Sequence, residues 1–285
     1  MPQVRLEGGS VDGLALHYVR EGRGPATIVL LHGLGGFGES WRKTIDVLAE
    51  SADVLALDLP GYGLSAKPRT RYDLEFFTRV LHGFLDATGV GHVSLVGHSL
   101  GGAVAVTYAL THPARVDRLA LVSAVVPGFD YQPSWLYRLA TVRGLAEVAA
   151  LCARRPLYRA AIARCFHVPM ARDIDALVDW SYAARTCWDA KAAYLATLRD
   201  VRADFGGRAA AYRRVAGTLG LPVLLVHGRQ DPVVGATHCA NVAKGLSRAS
   251  VRWVDHCGHF PQIEHADTVN RWLEEFLVGR VRRTP

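Results

Sequence analysis

Three observations predict an α/β fold, a mostly parallel central sheet flanked by helices with an inserted helical cap. Short apolar runs alternate with stretches of helical period, several of those runs end in glycine-bearing turns, and the alternation breaks between about residues 127 and 220. With 285 residues the chain can bury one substantial core and still carry an insertion. The division expected is a core part at 1–126, a helical cap at 127–220 and a second core part at 221–285.

Taken in order, strands are expected at 14–19, 27–31, 53–57, 93–96, 119–123, 223–226 and 251–254. The first would enter as an antiparallel edge. Asp73 is a suitable N-cap, after which Leu74, Phe77, Leu81, Phe84 and Leu85 recur on one helical face until Gly89 ends the helix. Near the C-terminus Val269, Trp272, Leu273, Phe276 and Leu277 repeat the pattern, ending at Gly279. Both helices are expected to face the core. The segment between them in sequence, from about 127 to 220 and rich in alanine and arginine, carries Trp135, Tyr137, Tyr158, Trp180, Tyr182 and Trp188. These aromatics are expected to form the cap's own core, with one or two reaching the pocket at the sheet's carboxyl edge.

Composition narrows the class. Half of the residues are hydrophobic and 21% are charged, as in a soluble globular protein. The start of the chain lacks the apolar run of a secretory signal, and a cytoplasmic location is expected. Residues 87–114 contain no Asp, Glu, Lys or Arg, but internal glycines, histidines and a serine cut the stretch into a strand and a helix, so no membrane insertion is expected. Five cysteines, an odd number with no C-x-x-C pair, fit a reducing compartment and buried small hydrophobes. Of the net charge of +7, six units fall between Tyr131 and Arg172, where Arg138, Arg143, Arg154, Arg155, Arg159, Arg164 and Arg172 face only Glu147. With no nucleic-acid motif beside it, that excess is expected on a solvated helical surface, and no nucleic-acid partner is expected.

The chemistry gathers at the ends of the expected strands. Gly97-His98-Ser99-Leu100-Gly101 follows one of them and opens a helix-like stretch, a setting that holds a serine hydroxyl in the open at a helix N-terminus. A serine nucleophile needs a histidine to take its proton, a carboxylate to orient that histidine, and donors for the oxyanion. Asp231, in His227-Gly228-Arg229-Gln230-Asp231-Pro232, and His259, in Cys257-Gly258-His259-Phe260-Pro261, each follow a strand of their own. The glycine-rich His32-Gly33-Leu34-Gly35-Gly36 follows another, so the N–H groups of Leu34 and Leu100 are the expected oxyanion donors. Gly33, Gly35, His98 and Phe260 would border the substrate. His98 is read as a hydrogen-bonding neighbour of the turn, while His32 and His227 are read as builders of their loops. His256 and His265 lack the glycine-preceded position of His259, Asp58 ranks below Asp231, and Asp204 and Asp255 are expected on the surface. No metal cluster, Walker loop or dinucleotide fingerprint appears, so no cofactor and no metal are expected.

Together these motifs resemble the α/β-hydrolase family, in its capped, esterase-like form, over nearly the whole chain outside the cap. Asp58-Leu59-Pro60-Gly61-Tyr62-Gly63-Leu64-Ser65 resembles the family's D-x-P-G-x-G-x-S turn, and residues 257–265 resemble its C-G-H-x-x-x-x-E-H ending. The order Ser99, Asp231, His259 is the order this fold uses. The resemblance implies hydrolysis of small to medium carboxylic esters through an acyl-enzyme on Ser99. An alternative within the family is a carbon–carbon bond hydrolase of aromatic ring-cleavage products, against which stand His98, where that group usually has asparagine, and Phe260, where it usually has tryptophan. A third reading is a ligand receptor that retains the pocket and turns over slowly. Serine in place of aspartate at position 99 argues against an epoxide hydrolase or haloalkane dehalogenase.

Overall fold

The expected apolar runs pair into one sheet. The computed structural model describes residues 2–129, 131, 141–142, 144, 147, 154–184, 186–207 and 209–279. Eight strands, β1 (Gln3–Arg5), β2 (Ala15–Glu21), β3 (Thr27–Leu31), β4 (Asp53–Leu57), β5 (Val93–His98), β6 (Val116–Val122), β7 (Val223–Gly228) and β8 (Ala249–Val254), lie in the order β1-β2-β4-β3-β5-β6-β7-β8. Pairing is antiparallel for β1 with β2 and β2 with β4, and parallel from β4 onward. Every residue of β5 and β7 is buried, because helices cover both faces of the parallel part. β1 was not anticipated. Its three residues alternate exposed and half-buried, too short a run to register as a period. Ser123 falls just outside β6 with φ 43° and ends the strand.

The helices follow from their patterns. Asp73 caps α2 (Leu74–Ala87), its carboxylate accepting the N–H of Phe76 at 2.8 Å, and the five expected apolar residues are fully buried. Residues Leu100 to Ala109 of α3 (Leu100–Thr111) are buried all round, which accounts for the uncharged run that precedes and includes this helix. Among the described residues no helix is long and apolar enough to cross a membrane. The remaining core helices are α1 (Arg42–Leu48) and α8 (Ala236–Gly245), then the single turn α9 (Pro261–Glu264) and α10 (Ala266–Val278). In α10 Val269, Leu273 and Leu277 are buried, but Trp272 and Phe276 sit at the margin. The guanidinium groups of Arg252 and Arg118 lie 6.0 Å and 5.7 Å from those two rings, so the aromatic edge of the stripe is shared with cations at the surface.

Between β6 and β7 the described chain forms α4 (Arg155–Ala163), α5 (Ala171–Ala184), α6 (Trp188–Gly207) and α7 (Ala209–Ala216). Phe166, Ile174, Leu177 and Val178 of this insertion cluster with Phe37 and Ile263 of the core. Tyr158 and Tyr182 pack against each other at 6.0 Å. Trp180 and Trp188 do not form cap core: they are 47% and 49% exposed, and Trp180 stacks on Phe37 at 5.8 Å. Trp135 and Tyr137 lie outside the described residues. Arg159 pairs with Asp175 at 2.6 Å, and Arg155 pairs with Asp179. These acids come from the next helix, α5, beyond the end of the count from Tyr131 to Arg172. Asp255 is exposed and bound to Arg229, but Asp204 is only 6% exposed, contrary to its expected surface position. Its carboxylate accepts the N–H of Leu74 at 2.9 Å, while Asp200 accepts that of Tyr72, so α6 satisfies the entry to α2. Cys239 and Cys257 are buried as expected and Cys165 is partly so, but Cys187 is exposed, contrary to the expectation, and Cys152 lies outside the described residues.

Candidate active site

Ser99 sits in the sharp turn between β5 and α3 at φ 51° and ψ −115°, a left-handed conformation uncommon for a side-chain-bearing residue. Its N–H is held by the carbonyl of Val122 at 3.1 Å, and its carbonyl accepts from Gly102 and Val125. The turn tolerates this because its flank is bare. A Cβ on Gly101 would come within 2.2 Å of the carbonyl oxygen of Leu31.

Opposite the serine stand the ends of β7 and β8. Asp231 directs Oδ1 to the N–H groups of Val233 and Val234 at 2.8 Å and 2.9 Å, and Oδ2 to Nδ1 of His259 at 2.8 Å. Burial pushes the Asp231 carboxyl up, but the charge and hydrogen bond of His259, with His227 and the Val234 amide, outweigh it and hold the group below the usual carboxylate range. A carboxylate only accepts, so Nδ1 of His259 carries the hydrogen and Nε2 keeps the lone pair of a base. The backbone N–H of His259 donates to the carbonyl of Cys165 at 2.7 Å. Glu264 accepts from Gly258 at 3.0 Å and from His167 at 2.9 Å, tying the histidine loop to the inserted segment. Among the described residues no hydrogen bond within 3.5 Å joins the Ser99 hydroxyl to His259, a contact that commonly tightens only in the Michaelis complex.

His98 donates from Nε2 to the carbonyl of His259 at 2.8 Å, since a carbonyl can only accept. Burial, reinforced by His259, pushes its pKa down to about 3, so it stays neutral. It is therefore a hydrogen-bonding neighbour of the histidine loop. Phe260 stacks on His98 at 5.2 Å and lies 5.0 Å from Phe166. His32 accepts the N–H of Leu59, and His227 donates to the carbonyl of Val234 at 2.8 Å, so both build loops. Asp58 is not brought to His259. It pairs with His17 at 2.8 Å and accepts the N–H groups of Gly38 and Leu64, joining the turn after β4 to the loop after β3. His265 binds the carbonyl of His256 outside the site.

A cavity of about 730 Å³ opens over these groups. Gly33, Leu34, Gly35, His98, Ser99, Leu100, His259 and Phe260 all border it, whereas Asp231 stays behind His259. Among the described residues the amides of Leu34 and Leu100 bond no carbonyl, and each follows the carboxyl end of a strand. Gly33 must be small here, since a Cβ would lie 2.7 Å from Nδ1 of His98. The far wall comes from the inserted helices, with Leu157, Tyr158, Ile162, Tyr182, Lys191 and Val201. None of those positions except the two tyrosines was singled out in the sequence, because nothing in a helical period tells which face meets a cavity rather than a core. Gln262 also borders the cavity, with a buried amide oxygen that has no partner among the described residues. Cys165 is a wall residue and not a nucleophile, because burial, with Asp231 and Glu264, pushes its thiol up to about 11. Among the described residues no group of three His, Cys, Asp or Glu side chains could hold a metal ion. A hydroxyl on a strained turn, beside a histidine fixed by a carboxylate, can attack a carbonyl carbon and pass its proton on.

A family model described as alpha/beta hydrolase fold matches residues 26–266. The chain is 30% identical to the dihydrolipoyllysine-residue acetyltransferase component of the acetoin cleaving system of Cupriavidus necator, over 94% of this chain and 68% of that one. It is 29% identical to 2-hydroxy-6-oxononadienedioate/2-hydroxy-6-oxononatrienedioate hydrolase 1 of Pseudomonas putida, over 96% and 95%. Among solved structures, 2-hydroxy-6-oxo-6-phenylhexa-2,4-dienoate hydrolase of Rhodococcus sp. strain RHA1 superposes with a TM-score of 0.80 at 26% identity, over 96% and 98%.

Proposed function

The chain belongs to the α/β-hydrolase fold family, and within it we propose a serine-nucleophile hydrolase that cleaves a carbon–carbon bond beside a ketone in conjugated ring-cleavage acids. The observation that carries the chemistry is the 2.8 Å bond from Asp231 to Nδ1 of His259 on the cavity that Ser99 borders. The names of the relatives and of the superposed structure support the substrate class over the ester first expected. In this mechanism Ser99 Oγ attacks the ketone carbon while His259 Nε2 takes its proton. The alkoxide is held by the N–H groups of Leu34 and Leu100, each contributing about 3 kcal/mol to the transition state. Before the attack the dienol tautomerises to its keto form, which saturates the carbon beside the reacting ketone. Collapse then breaks the bond to that carbon, whose electron pair spreads into the adjoining enone and takes up the proton from His259. Water then attacks the acyl-enzyme by the same route, releasing a carboxylic acid and freeing Ser99. The inserted helices act as the cap that keeps bulk water from this sequence.

Ester cleavage remains a second reading, favoured by His98 and Phe260. The His98 imidazole is committed to the carbonyl of His259, and Phe260 is wedged against it. A fluorophosphonate probe and a substrate panel test both. Labelling at Ser99, with a kcat/KM for a phenyl-substituted ring-cleavage dienoate at least about tenfold above that for p-nitrophenyl butyrate, supports the first reading. The reverse order selects the ester reading, and an unlabelled wild-type protein overturns both.

A further inference from the structure

Among the described residues no arginine of the insertion borders the cavity. Arg155 and Arg159 are paired with Asp179 and Asp175 on the outer surface, and Arg199 is paired with Glu147. Among the described residues on the cavity wall, the single side chain with a formal charge other than the histidines is Lys191, in the first turn of α6. Lys191 is half-buried, and among the described residues its ammonium has no hydrogen-bond or ion-pair partner. The acids near it in the chain are turned to other tasks: Asp200 accepts the N–H of Tyr72, and Asp189 lies 3.9 Å from Arg69. The rest of the far wall is largely apolar, with Leu157, Ile162, Val201 and Phe205, and the hydroxyls of Tyr158, Ser181 and Thr197 on it are already donated within the insertion. An ammonium without a protein partner at the edge of a largely apolar cavity is a ready partner for an anion.

We infer that Lys191 is the carboxylate-recognition residue of this cavity, and that the substrate is a monocarboxylate with an apolar body. Among the described residues of the wall one cation compensates one carboxylate, and a second would lie uncompensated against its largely apolar surface. A singly charged acid with an aryl or alkyl substituent therefore fits better than a dicarboxylate. This inference rests on the reading of the cavity as the substrate site, and its test does not depend on turnover.

The test is calorimetric binding of 5-phenylpentanoate and of its neutral counterpart 5-phenylpentanamide to the wild type, Lys191→Met, Lys191→Gln and Lys191→Arg. The wild type is expected to bind the acid at least about tenfold more tightly than the amide. Both neutral variants should bring the two affinities to within about twofold, and Lys191→Arg should keep most of the preference. Thermal unfolding midpoints identify any variant that has lost its fold, and the ratio in the wild type stands without them. No acid preference in the wild type, or the same preference in folded Lys191→Met or Lys191→Gln, overturns the inference. A dependence on Lys191 together with no labelling of Ser99 would instead sink the hydrolase reading and leave the anion site standing.

Discussion

Ser99 is costly to place, and the cost locates the chemistry. A non-glycine residue at φ 51° and ψ −115° stores strain on the order of 1–3 kcal/mol. Buried amide bonds around it, from its N–H to Val122 and from Gly102 and Val125 to its carbonyl, keep it there. The proposed mechanism makes two quantitative demands on the residues of this site. Ser99→Ala should fold normally and lower kcat on the order of 10⁶-fold. Retention of activity within tenfold of wild type would sink the assignment. Asp231→Asn removes the acceptor that fixes the hydrogen on Nδ1 of His259, so kcat should fall on the order of 10⁴-fold. In Asp231→Asn the KM should change little, because Asp231 stands behind His259 and does not border the cavity. A variant whose KM rises while kcat holds would place Asp231 in substrate binding and not in orientation.

Elements were legible where burial is one-sided and regular. The face of α2 reads directly from Leu74, Phe77, Leu81, Phe84 and Leu85, and the cap at Asp73 forms as its residue type requires. α10 was legible in place but not in depth, because Trp272 and Phe276 share the apolar period yet lie at the rim beside arginines. The Ser99, Asp231 and His259 positions were legible because each follows its own strand, and local sequence determines a strand end. Lys191 was not, since its role depends on which face of α6 meets a cavity built by distant loops. Asp204 was misjudged for the same reason: its partner, the N–H of Leu74, is 130 residues away. Asp204→Ala should therefore destabilise the protein by about 1–3 kcal/mol by stranding a buried N–H at the entry to α2. Asp255→Ala, at the exposed Arg229 pair, should stay within about 0.5 kcal/mol. Urea unfolding of both variants checks the contrast, and equal shifts would refute it.

For the whole molecule, the packing of core and insertion around the site makes stability depend on acid. Burial is the leading cause that pushes the pKa of His98 down to about 3, and it lowers those of His32 and His227 as well. In the unfolded chain each histidine titrates near about 6.5. Below that pH the unfolded state binds protons that the folded state refuses, so stability falls as pH decreases and is fully present above about pH 7. His98 alone contributes a slope of up to about 1.4 kcal/mol per pH unit between roughly pH 6 and its folded pKa. Asp231 and Asp58, whose folded pKa values are also lowered, add to the loss only when pH falls below about 4, where unfolded carboxyls protonate. His98→Asn supplies a non-titrating side chain that can still donate to the carbonyl of His259. Its urea stability between pH 7.5 and 4.5 should fall less steeply than wild type, by up to about 1 kcal/mol per pH unit, with an unchanged denaturant slope. Identical pH slopes in the two proteins would mean that His98 is not held neutral in the fold, and that the histidine beside Ser99 titrates with solvent.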